Sequence, residues 1–160
     1  MKYLKKIILG ISISIFFVGI SQESSAQCRD ESGVFKCAEM FTPDGITFMN
    51  EFNIEGKKRK SEADENGREW DIYLLAERKY RFALCCYEGL DDIVMTLYND
   101  ESPENAPLGT TFQSGKDYVF FDFTNHVEGQ YKVSIRFKPG KGVGQKLCAI
   151  GLLGYGGKTK

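Results

Sequence analysis

From Tyr131 to Lys138 the sequence Tyr-Lys-Val-Ser-Ile-Arg-Phe-Lys alternates apolar and polar side chains without a break. That period of two is the pattern of a strand with one face in a core and the other in water. Tyr80 to Tyr87 reads the same way: Tyr80, Phe82 and Leu84 share one face, and Arg81 must point away from it. Within Glu69 to Leu75, Trp70, Ile72 and Leu74 alternate, and the turn Ala76 to Lys79 is expected to lead this strand into the next as a hairpin. Asp92 to Tyr98 and Asp117 to Phe123 are apolar on both faces for several positions, as expected of central strands. Ile46 to Ile54 and Leu147 to Leu153 complete the set, and the helical signal is confined to Val34 to Phe41.

Turn residues punctuate these runs at Pro43-Asp44-Gly45, Glu65-Asn66-Gly67, Tyr98-Asn99-Asp100, Glu128-Gly129 and Pro139-Gly140. The connection Glu101 to Lys116 exceeds a hairpin loop and is expected to cross between sheets. The pattern predicts an all-β fold, an antiparallel sandwich or barrel of about seven to eight strands. Tyr80, Phe82, Leu84, Val133, Ile135 and Phe137 are expected to face its core.

The first 26 residues change the setting of everything that follows. Lys2, Lys5 and Lys6 precede an apolar run from Ile7 to Ile20, and Ser24-Ser25-Ala26 supplies small residues just before Gln27. This is the layout of a cleaved signal peptide, with a run too short to span a bilayer comfortably. A lipidated cysteine is not expected at Cys28, because Gln27 stands where such a site carries a small residue. Residues 27–160 then form a single domain that is periplasmic or extracellular, with no membrane span after cleavage. Removing three Lys and one Glu from 21 basic and 22 acidic residues leaves a net charge of −3. That balance argues against nucleic acid or an anionic membrane as partner. The one basic run, Lys57-Lys58-Arg59-Lys60, precedes Glu62, Asp64 and Glu65 and reads as a solvated loop.

An oxidising compartment favours disulfides among Cys28, Cys37, Cys85, Cys86 and Cys148. Cys28 and Cys37 are near in sequence and are expected to form a local bridge. Cys148 is expected to join Cys86, on the face of Tyr80, Phe82 and Leu84, or else Cys85. The first choice leaves Cys85 as the unpaired thiol.

The candidate chemistry is thin. His126 is the single histidine and lies in the turn Asn125-His126-Val127-Glu128, with no Gly-x-Ser-x-Gly motif elsewhere. No cofactor is expected. Calcium is the inorganic ion considered, because Asp91 and Asp92 precede one strand and Asn99, Asp100 and Glu101 follow it. That strand separates the two groups by roughly 20 Å, so they cannot share an ion. A sugar platform would draw on Trp70, Tyr73, Tyr98 and Tyr118, and the apolar Val119 and Phe121 could meet a partner protein.

Three stretches carry a family resemblance: Lys79-Tyr80-Arg81-Phe82, Thr96-Leu97-Tyr98-Asn99-Asp100 and Glu128-Gly129-Gln130-Tyr131-Lys132-Val133. They resemble the bacterial pre-peptidase C-terminal domain and similar jelly-roll modules of exported bacterial proteins. The likeness spans residues 69–138 and leaves the segment from Gly144 to Tyr155 outside it. It implies a jelly-roll fold and an accessory, non-catalytic role. The function expected is therefore an exported binding or accessory protein acting on an unknown protein partner. A carbohydrate-binding module with a glycan ligand and a small secreted hydrolase are the alternatives.

Overall fold

A computed structural model describes residues 37–39, 41, 44–64, 67–86, 90–102 and 106–158. The expected signal segment, Cys28 and half of the expected helix at Val34 to Phe41 lie outside the described residues. Ten strands follow in chain order: β1 (Thr47–Lys58), β2 (Gly67–Leu74), β3 (Arg78–Cys86), β4 (Ile93–Tyr98), β5 (Gly109–Thr110), β6 (Phe112–Gln113), β7 (Lys116–Asp117), β8 (Phe120–Asn125), β9 (Gly129–Phe137) and β10 (Lys146–Lys158).

Every pairing is antiparallel. One sheet has the order β1-β10-β3-β8, the other β2-β9-β4-β5, and β6 and β7 form a separate small ribbon. With that ribbon set aside, the chain passes from one sheet to the other along β1, β2, β3 and β4, then returns along β8, β9 and β10. This wrapping is that of a jelly roll, and of the two forms the strand pattern allows, sandwich and barrel, the chain adopts the sandwich. The expected hairpin of β2 with β3 is not formed. Those strands sit in different sheets, and Leu75 to Glu77 make a corner between them, with Glu77 at a positive φ of 56°.

The inward faces of the two sheets supply one core. Phe82, Leu84, Leu97, Val133, Ile135 and Leu153 are fully or almost fully buried, and Tyr80 and Phe137 join the same cluster. The six residues expected inward are all there. Removal of so many apolar side chains from water is the main stabilising term, at roughly 1.5 to 3 kcal/mol for each fully buried one.

The first sheet is buried on its other face as well. Cys37, Phe41 and Ile46, upstream of β1, pack with Ala83, Ile150 and Leu152 into a second apolar cluster. The fully apolar run of β10 now has its explanation. Leu147, Ala149 and Leu153 face the sandwich core, while Ile150 and Leu152 lie beneath the N-terminal strap.

β8 departs from its expected place. It begins at Phe120 instead of Asp117, and it is the edge of its sheet instead of a central strand. The residues just before it form the β6–β7 hairpin, whose two-residue turn puts Ser114 at φ 54° and Gly115 at φ 77°. Both angles positive is the geometry that matches strand twist in a tight hairpin.

Candidate binding surface

At one corner of the first sheet, where β1 starts beside the end of β10, apolar side chains stand in solvent. Phe48 is 49% exposed, Met49 50% and Tyr155 39%. Thr47 pairs with Tyr155 and Phe48 with Gly154, and the register then slips, so that Asn50 pairs with Leu153. Met49 is the extra residue of this bulge. A bulge re-aims side chains locally, and here it leaves two consecutive apolar residues without cover. Tyr80 of β3, opposite Tyr155, accepts at its hydroxyl from the N–H of exposed Leu75 at 2.9 Å. The Arg78 guanidinium lies 6.0 Å from the Tyr155 ring centre. The sequence carried a signal for this site: Phe48-Met49 interrupts the alternation of its strand.

The four candidate sugar-facing rings do not come together. Tyr98 is buried, and Trp70 is only half-buried, packing its ring 5.4 Å from that of Phe52. Tyr73 and Tyr118 are exposed, but Tyr73 lies on edge strand β2 and Tyr118 beside β8, at opposite edges of the sandwich. The Tyr73 hydroxyl donates to Glu128 Oε1 at 2.7 Å, and that bond to a carboxylate raises its pKa.

His126 is exposed, with Nδ1 3.6 Å from Glu77 Oε1. It borders an open depression of about 290 Å³ lined by Leu108, Phe123, Thr124 and Val127, with Glu101 and Glu128 at its rim. Behind it the Tyr131 hydroxyl sits 2.7 Å from both Asn125 Oδ1 and the Val127 carbonyl, and burial raises the pKa of this phenol.

Of the candidate ligands flanking β4, Asp92 and Asn99 have side-chain partners. The Asp91 carbonyl accepts from Lys138 Nζ at 2.7 Å, and Asp92 Oδ1 lies 3.4 Å from Lys141 Nζ. Asn99 Oδ1 accepts from the Ser102 N–H at 2.8 Å. No grouping of three potential metal ligands occurs among the described residues.

Two buried cations have no counterpart in the hydrophobic pattern. Arg59, expected in a solvated run, is buried, and its guanidinium donates to the carbonyls of Ser61, Glu62 and Lys141. The acidic Asp64 that follows closes the loop locally. Its carboxylate accepts from the Lys60 and Ser61 N–H groups, which lowers its pKa. Lys138 is also buried. Its Nζ is 2.5 Å from Asp117 Oδ1 and 4.2 Å from the Phe112 ring centre, fastening the base of the β6–β7 hairpin.

The cysteines pair differently from the expected scheme. Cys37 bonds to Cys85, not Cys28, with Cα atoms 6.1 Å apart. Cys85 is thus not the spare thiol. Cys148 is also in a disulfide, its partner sulfur lying outside the described side chains. The expected pairing of Cys148 with Cys86 falls on a side chain outside those described.

No family model matches the chain, and no curated protein is similar to it in sequence. Among solved structures the chain is similar to a periplasmic inhibitor of g-type lysozyme, PliG, from Aeromonas hydrophila, at 8% identity. The match covers 70% of this chain and 89% of that one, with a TM-score of 0.48.

Proposed function

We propose that this is an exported, non-catalytic β-sandwich protein that acts by binding another protein through the corner where β1 starts beside the end of β10, which exposes Phe48 and Met49 on β1 and Tyr155 on β10. The observation that carries the reading is the exposure of Phe48 and Met49 at a bulge, beside Tyr155 on the neighbouring strand. Apolar and aromatic side chains with an adjacent arginine are the composition of interface centres. A soluble monomer seldom leaves such residues grouped without use. Export is supported by the N-terminal pattern and by the Cys37–Cys85 disulfide, which persists where thiols are oxidised. A protein partner is favoured over a glycan because the exposed rings Tyr73 and Tyr118 lie at opposite edges and offer no shared platform.

The test is affinity capture from the native envelope and secreted fractions, with the wild-type chain beside a Met49→Ser/Tyr155→Ser variant. The same proteins should be retained by wild type and lost by the variant, with thermal stability within a few degrees of wild type. Equal capture by both chains, or binding on a glycan array that the variant retains, would refute the corner as the binding site.

A further inference from the structure

Of the four sheet edges, β8 alone is long and unguarded. β1 carries two register shifts and the charges Glu51, Glu55 and Lys58, β2 carries Arg68, Glu69 and Asp71, and β5 has only two residues. β8 reads Phe-Phe-Asp-Phe-Thr-Asn and pairs with β3 without a register shift. Its one charge, Asp122, is neutralised by Arg81 and Lys79 on the same sheet. Natural sheets protect open edges with bulges, lysines, prolines or short length, and β8 has none of these.

The free backbone groups can be assigned. The Leu84 N–H donates to the Val119 carbonyl at 2.8 Å, beside the pair Ala83–Phe120. In an antiparallel ladder that makes Ala83–Phe120, Arg81–Asp122 and Lys79–Thr124 the non-hydrogen-bonded pairs. The N–H and C=O groups of Phe120, Asp122 and Thr124 therefore point away from β3. No strand pairs with that edge among the described residues.

We infer that β8 pairs antiparallel with β8 of a second copy of this chain, about a two-fold axis at Asp122. In that register Phe120 lies opposite Thr124 of the second copy and Asp122 opposite its equivalent, forming about six new backbone bonds. Each Asp122 meets its twin with its charge already balanced by Arg81 and Lys79. The pairing also joins complementary surfaces that lie at opposite ends of β8. The hairpin before β8 exposes Tyr118 and Val119 and carries Lys116, which has no ion-pair partner among the described residues. The depression after β8 is lined by Leu108, Phe123 and Val127, with Glu101 at its rim, while the Glu128 carboxylate is held by the Tyr73 hydroxyl. Reversal of strand direction across the two-fold sets each hairpin against the other copy's depression, apolar on apolar and lysine beside glutamate. This surface lies at the sheet edge opposite β1, so it is independent of the corner proposed above.

Sedimentation equilibrium of the purified chain, processed as its host processes it, should give a dimer. Carbodiimide coupling of mixed isotope-labelled and unlabelled chains should link Lys116 of one copy to Glu101 of the other. Val119→Lys and Thr124→Pro should each weaken the dimer by about tenfold or more, with circular dichroism unchanged for at least Val119→Lys. A monomer at high micromolar concentration overturns the inference. So does a dimer that both variants leave intact, and so does a chain that stays monomeric until an extended peptide of another protein occupies β8.

Discussion

Arg81 holds both carboxylate oxygens of Asp122 across the β3–β8 pair, Nε to Oδ1 at 2.7 Å and Nη2 to Oδ2 at 2.9 Å, on the face turned away from the sandwich core. Arg81 is 3% exposed, and it also reaches Asp44 of the N-terminal strap. Its Cζ stands 4.1 Å from the Phe120 ring centre. One cation therefore ties together the strap, the central strand and the edge strand. The arrangement lowers the pKa of Asp122 below 3.8, first through the Arg81 bonds, with burial opposing and Lys79 adding to the effect.

A depressed folded-state pKa contributes stability that is present above the unfolded value and lost as pH falls through the folded one. Asp122→Asn should therefore be less stable than wild type at neutral pH by about 1 kcal/mol, a value discounted because the carboxylate is partly exposed. The deficit should shrink as pH falls below the ordinary aspartate range, where wild type loses the same charge. Urea unfolding of both proteins across that range is the measurement. A deficit that stays constant in acid would show that the ion pair does not supply the stability.

The two sheets approach closely at Gly151, where a Cβ would meet Ile135 Cδ1 and Met95 Cε, each at 2.8 Å. Gly151→Ala should cost about 1 to 3 kcal/mol by overpacking, and Ile135→Val about 1 kcal/mol by removal of that Cδ1. Because the second change vacates the space the first needs, the double mutant should be more stable than the sum of the single costs implies. Strict additivity in denaturant melts would mean that the interface relaxes without strain at this point.

Arg59 joins two loops through backbone acceptors alone. Besides its three side-chain bonds, its N–H donates to the Gln145 carbonyl and its own carbonyl accepts from Gly144 N–H, both at 2.8 Å. Arg59→Ala leaves three part-buried carbonyls without their donor and should cost about 1 to 2 kcal/mol. Arg59→Lys should recover only part, since one ammonium cannot span all three positions. Amide exchange should accelerate at Gly144 in both variants. Unchanged protection there would place the loops' stability elsewhere.

Legibility followed the number of buried faces per strand. β9 and β3 alternate cleanly, so their inward residues, from Tyr80 to Phe137, could be read directly. β10 is apolar throughout, and a run covered on both sides has no phase to read, so the strap over Ile150 and Leu152 left no periodic trace. The expectation of a Cys28 to Cys37 bridge with Cys85 left free failed for the same reason. Arg81 does point away from the sandwich core, yet it is buried beneath residues far upstream in sequence, and Cys85 shares that covered face. The edge position of β8 was hidden because Phe120, Phe121 and Phe123 look central in composition, whereas pairing order is a long-range property. Phe48-Met49 was visible as a break in period, but its exposure depends on a bulge that only the register with β10 defines.

The Cys37–Cys85 bond closes a separation of 48 residues and fixes the strap over the outer cluster. Constraint of a loop of that size contributes about 4 kcal/mol in the chain-entropy treatment. Cys37→Ser/Cys85→Ser should lose most of this. It should also loosen Asp44 from Arg81, so that Ala83, Ile150 and Leu152 become accessible to an apolar dye before the sandwich itself unfolds. Non-reducing peptide mapping of the exported protein should recover Cys37 linked to Cys85. Recovery of Cys37 linked to Cys28 would detach the strap from β3, and with it the explanation for a sheet that is apolar on both faces.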